Sequence, residues 1–104
     1  MTNPYAGEVS LEIDGVPHRL RLTLGALAEL ETALGEETLL DLVARFEEGR
    51  FSSRDVLALI VAGLRGGGWQ GQAADLSRAE IGGGLHGAAR AAAQLLASAF
   101  TPPA

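Results

Sequence analysis

Gly66, Gly68 and Gly71 match the spacing G-x-G-x-x-G, and so do Gly82, Gly84 and Gly87. Where that spacing holds a dinucleotide, a strand precedes it and a helix follows, so that the pyrophosphate meets free amides at the helix start. The first match here follows a helical pattern instead. The second precedes a helix but has no strand pattern ahead of it. With 14 glycines in 104 residues the spacing arises from composition. The chain also contains no lysine, which rules out a P-loop.

The other residues able to do chemistry are few. His18 and His86 are the only histidines, and there is no cysteine. A structural or catalytic zinc needs a clustered set of such ligands, and neither histidine has one nearby. His18 falls in a hairpin, expected on its solvent side, and His86 at the start of the last helix. The pairs Glu36–Glu37 and Glu47–Glu48 are adjacent in sequence, and neighbours on a helix do not share a face. They read as solvated charge rather than as a general acid and base. Arg19 and Arg21 form a basic edge too small for nucleic acid. No constellation of nucleophile, base and orienting group is present, so neither catalytic residues nor a cofactor or metal is expected, and the chain reads as non-enzymatic. Trp69, the single tryptophan, reads first as a loop anchor that plugs a bundle and second as a binding hot spot, a role enriched in tryptophan.

The elements that position these residues follow from periodicity. Val9, Leu11 and Ile13 alternate with Glu8, Ser10 and Glu12, the period of a half-buried strand. Asp14-Gly15 is a strong hairpin signal, and Leu20 and Leu22 alternate with Arg19, Arg21 and Thr23. Residues 8–23 therefore read as an antiparallel hairpin, with Glu8 and Glu12 across from Arg19 and Arg21. Thr23 caps a helix carrying Leu24, Leu27, Leu30 and Leu34, which ends at Gly35. Thr38 caps another with Leu39, Leu42, Val43 and Phe46.

Ser52 to Gly66 is the stretch around which the chain is organised. Val56, Leu57, Leu59, Ile60, Val61 and Leu64 make this helix apolar on most of its circumference, and such a helix is buried by other elements. Ser52 with Asp55 forms a capping box, Phe51 stands where a hydrophobic staple would, and Gly66 is expected in the left-handed conformation that closes the helix. Asp75 to Ile81 suggests a short helix, and Leu85 to Phe100 a last, alanine-rich one. The fold class is α+β: an N-terminal two-stranded antiparallel hairpin followed by a four- to five-helix bundle. Residues 1–104 are expected as a single domain, with an arm (1–7), the hairpin (8–23), the helical bundle (24–100) and a tail (101–104).

Composition narrows the partners. The net charge is −5 and all eight basic residues are arginine, which disfavours nucleic acid, whose affinity comes largely from phosphate neutralisation. The longest apolar run, Val56 to Leu64, is too short to span a bilayer. The N-terminus lacks the basic and apolar regions of a signal peptide. The expectation is a soluble protein, cytoplasmic in the cell that makes it.

Three segments resemble a known family: Asn3-Pro4-Tyr5-Ala6-Gly7-Glu8-Val9, Leu22-Thr23-Leu24-Gly25-Ala26-Leu27-Ala28-Glu29-Leu30-Glu31, and Asp55 through Gly68. Their order and spacing are similar to the small gene transfer agent family protein encoded in phage-like tail clusters. That family is similar to phage tail assembly chaperones and is also labelled a tail tube protein. The resemblance covers roughly residues 3–100 and implies a non-catalytic role in tail building. The partners it implies are the tape measure protein, the major tail protein or both, and a homo-oligomer is compatible with it. A chaperone would cover apolar helical surface on its client, and Trp69, Ala88, Ala91, Ala92 and Leu95 are the residues expected to offer the groove. The alternative is a structural tail subunit, in the tube or at the tail end, that stays in the particle.

Overall fold

A computed structural model describes residues 8–100. The elements run β1 (Glu8–Ile13), β2 (Val16–Arg21), α1 (Leu24–Leu34), α2 (Leu39–Glu47), α3 (Ser53–Gly66), α4 (Ala73–Ser77) and α5 (Gly84–Phe100). The α+β class expected from periodicity is the class observed. The expected arm and tail, at residues 1–7 and 101–104, lie outside the described residues.

Local chemistry sets most boundaries. The hairpin turns at Asp14 and Gly15, both at positive φ, as a two-residue turn with right-handed strand twist requires. Glu8 pairs with Arg21 and Ile13 with Val16, and the odd-numbered residues of β1 point into the core. In this register His18 stands opposite Leu11 and is half-buried, so it shares the core-side face rather than the solvent side expected for it. The Thr23 hydroxyl accepts from the Ala26 amide at 3.1 Å. Thr38 and Asp41, and Ser52 and Asp55, form reciprocal capping boxes. Each such cap satisfies amides that a helix start leaves without partners, at about 1 kcal/mol.

α3 runs through the middle. Leu59 and Leu64 on it are fully buried, as are Leu20 on β2, Leu30 on α1, Leu42 on α2 and Leu95 on α5. Its glycines set how closely its neighbours approach. A side chain at Gly63 would press on Leu95 Cδ1 at 2.7 Å and Leu20 Cβ at 3.0 Å. The space beside Gly66 is filled by the backbone carbonyl of Arg21, and that beside Gly67 by the carbonyl of Arg19. Gly66 is therefore the last helical residue and a point of contact with β2, not the left-handed closing residue; that conformation falls to Gly68, at φ 103°.

Two further differences have local causes. The short helix expected at 75–81 is placed earlier, at Ala73–Ser77, because Ile81 makes an antiparallel bridge to Ile13. Leu24, expected on the apolar stripe of its helix, is 85% exposed, and Leu85 is 70% exposed. Each lies in the first turn of its helix, short of the neighbours that bury the later turns.

Candidate functional site

Several charged side chains are held in ion pairs and helix caps. Arg45 on α2 reaches Asp55 with both arms, Nε to Oδ2 at 3.0 Å and Nη2 to Oδ1 at 2.9 Å. The same carboxylate accepts the Ser52 amide at 2.9 Å, and Arg45 also contacts Glu37. Burial alone raises the Asp55 pKa, but hydrogen bonds from Arg45 and Ser52 outweigh it and hold the carboxyl below the usual range. The bond to Asp55 is the main cause that raises the Arg45 pKa. This bidentate pair joins α2 to the start of α3. Beside it, Phe46 and Phe51 stack with ring centroids 4.4 Å apart, so Phe51 makes a ring contact with α2. Arg45 was not singled out by sequence reasoning, since a pair ten residues apart leaves no periodic mark.

Of the acidic pairs, Glu37 meets Arg45 and Glu48 meets Arg50. His86 Nε2 lies 3.1 Å from Arg90. Among the described residues no group of three or more His, Asp or Glu could hold a metal ion. The glycine pattern at 66–71 begins on the last residue of α3, and Gly87 of the second pattern sits inside α5 with the Gly82 carbonyl against it. Neither has the strand–turn–helix context that cradles a pyrophosphate.

The five residues expected to form a partner groove are distributed otherwise. Ala88, Ala91, Ala92 and Leu95 line the inner face of α5 and are 7%, 3%, 0% and 0% exposed. Their small size lets α5 lie close to α3 and β1, and a partner could reach them only by displacing α5. Trp69 is half-buried at the end of α3, its amide donating to the Leu64 carbonyl at 2.9 Å and its indole lying against Gly71.

The open apolar surface lies on the other side of α3. Leu57, Ala58 and Val61 are half-buried. They floor a trough of about 320 Å³ whose sides are Leu30 and Ala33 of α1 and Ala73 of α4. A second trough of about 510 Å³ continues from Leu57 between α3, α4 and the start of α5, over Ile60, Leu76 and Leu85. Arg54 lines both. Arg65 closes the far end of the first, 3.5 Å from Glu29. The elements place this surface because α3 is apolar around its circumference while the hairpin and α5 cover only part of it. The signal was present in the sequence: Leu57 and Val61 belong to the same apolar set as Leu59 and Ile60. Periodicity alone could not say which of them remained uncovered.

No helix among the described residues is long and apolar enough to cross a membrane. A family model described as phage tail tube protein, GTA-gp10, matches residues 6–101. No match is found among curated proteins or among solved structures.

Proposed function

Because this chain belongs to the GTA-gp10 phage tail tube protein family, a tail-related protein of phages and gene transfer agents, we propose that it acts as a non-catalytic assembly chaperone. In this reading it works as a single domain in the cytoplasm of the producing cell. It holds an apolar helical stretch of the tape measure protein until the tail tube closes around that stretch. The observation that carries the reading is the open trough on α3. An amphipathic helix buries its apolar face in such a groove through side chains at helical spacing. The floor of Leu57, Ala58 and Val61 is apolar, with Arg54 and Arg65 at its ends. In this reading the client surface lies on α3, since the alanine face of α5 is buried.

The second reading, a structural subunit retained in the particle, is favoured by the family description, which names a tail tube protein. Against it stands the sheet. A ring built by joining sheets head to tail needs two complementary free edges on each subunit. Here the carbonyls of Arg19 and Arg21 on β2 lie against Gly67 and Gly66, so that edge is occupied.

Co-expression of the chain with the tape measure protein of its own gene cluster tests the proposal, with mass spectrometry of purified particles run alongside. The chaperone reading expects a soluble complex, lost in Val61→Arg and kept in the conservative Val61→Ile, and finished particles without this chain. Stoichiometric amounts of the chain in particles, with no tape measure complex, would establish the structural reading instead.

A further inference from the structure

The two edges of the hairpin differ. That of β2 is closed by α3. On β1, the Asp14 amide donates to the Glu80 carbonyl and the Gly82 amide to the Glu12 carbonyl, both at 2.8 Å. Residues 80–82 thus pair with this edge at one isolated bridge, Ile81 to Ile13. The chain then leaves that position through Gly83 and Gly84, both at positive φ, and enters α5. In antiparallel pairing the backbone groups of alternate residues face opposite edges. The bonds at Glu12 and Asp14 therefore show that the even-numbered residues of β1 present their amides and carbonyls outward. Beyond Glu12 this leaves Ser10 and Glu8, whose backbone groups meet no partner on that side among the described residues.

The unfilled position is a cleft of about 390 Å³. One wall is the β1 edge at Ser10 and Glu12; the other is the α5 row of His86, Arg90 and Gln94, spaced four apart. Arg90 touches His86 but has no carboxylate partner among the described residues. It is an exposed cation facing a vacant strand position in a chain of net charge −5.

We infer that the outer edge of β1 accepts an extended segment of another protein, one with an acidic side chain directed at Arg90. The incoming segment continues the pairing that the Ile81 bridge begins. Main-chain bonds to Ser10 supply affinity, and alternate side chains supply specificity, the general logic of strand addition. Residues on its inner face meet His86, Arg90 and Gln94. Those on its outer face run beside Glu8 and Glu12, where basic side chains are favoured. A second copy of this chain does not fit. Two β1 strands paired antiparallel about Ser10 would set Glu8 opposite Glu12 twice, and like charges directly opposite are destabilising. They would also compete with Gly82 for the Glu12 carbonyl. The inference is independent of the α3 trough and holds whichever functional reading stands.

The test is an amide-resolved NMR titration of the full chain with two blocked peptides, Thr-Lys-Glu-Lys-Thr and its charge-swapped form Thr-Glu-Lys-Glu-Thr. The first peptide is expected to shift the Ser10 resonance and to bind about fivefold more tightly than the second, the scale of a cross-strand charge pair. Arg90→Glu, an exposed position, erases or reverses that preference while leaving the hairpin resonances in place. Ser10→Pro removes one outward amide and weakens both peptides alike. Equal response to the two peptides overturns the inference. So does silence at Ser10 with millimolar peptide, a response confined to Leu57 and Val61, or a dimer that forms through this edge.

Discussion

The two sides of α3 are equally apolar in sequence and opposite in fate. On the inner side, Leu59, Ala62, Gly63 and Leu64 are sealed against the hairpin, α1 and α5. On the outer side, Leu57, Ala58 and Val61 stay half-covered at the bottom of a trough. The difference lies in the neighbours. Gly66 and Gly67 admit the backbone of β2, and Gly63 admits the side chains of Leu20 and Leu95, and close approach fills space with protein atoms at native packing density. No such seam exists outward, where α1 and α4 flank the helix without meeting over it. A closed side supports stability; the open apolar side is the surface on which the chaperone proposal rests.

That contrast can be broken most severely from the inside. Leu59→Ala removes a fully buried side chain and should cost about 3–5 kcal/mol, read as a lowered urea midpoint. Gly66→Ala puts a methyl group where the Arg21 carbonyl lies. Helix propensity alone would favour alanine by about 1 kcal/mol, so a net loss of about 1–3 kcal/mol, the overpacking range, would show that the seam with β2 overrides it. Stabilisation by Gly66→Ala would mean that the seam is loose and the contrast overstated.

The ion pair at the start of α3 gives a third handle. Asp55→Asn leaves Arg45 half-buried with only Glu37, which is 52% exposed. Removing one partner of a buried pair costs about 3–5 kcal/mol; the remaining contact with Glu37 and partial exposure reduce this to about 2 kcal/mol. The folded state holds the Asp55 pKa down, so the unfolded chain takes up the proton first. The stabilisation from this carboxylate is therefore complete above the unfolded value of about 3.9 and is lost as pH falls through the lower folded value. Urea midpoints measured from pH 6 downward should fall less steeply for Asp55→Asn than for the parent chain. Parallel curves would remove Asp55 from the account of acid sensitivity.

The smallest expected effect on stability is on the outer side. Val61→Ser should shift the unfolding free energy by less than about 1 kcal/mol, since half-buried sites lose little transfer energy. A loss matching that of Leu59→Ala would show that the trough is closed in solution.

Legibility followed the range of the interactions. Thr23, Thr38 and Ser52 were readable as caps because a cap and its amide lie within one turn. The hairpin was readable because alternation and the Asp14-Gly15 turn are adjacent in sequence. Arg45 with Asp55, Ile13 with Ile81, and Gly66 with Arg21 were not, because each joins residues brought together only by packing. The alanines of α5 illustrate the gap. Ala88, Ala91 and Ala92 could line a groove for a partner or let two helices touch, and the sequence offers both. Only the position of α5 against α3 and β1 assigns them to the core and leaves Leu57 and Val61 uncovered. By itself, then, the sequence determined the elements, their caps, the apolar central helix and the α+β class, since these depend on chemistry within a few residues. The tertiary structure decided which apolar face closes, which glycine bends and which sheet edge stays open, because steric fit between distant segments has no local signature.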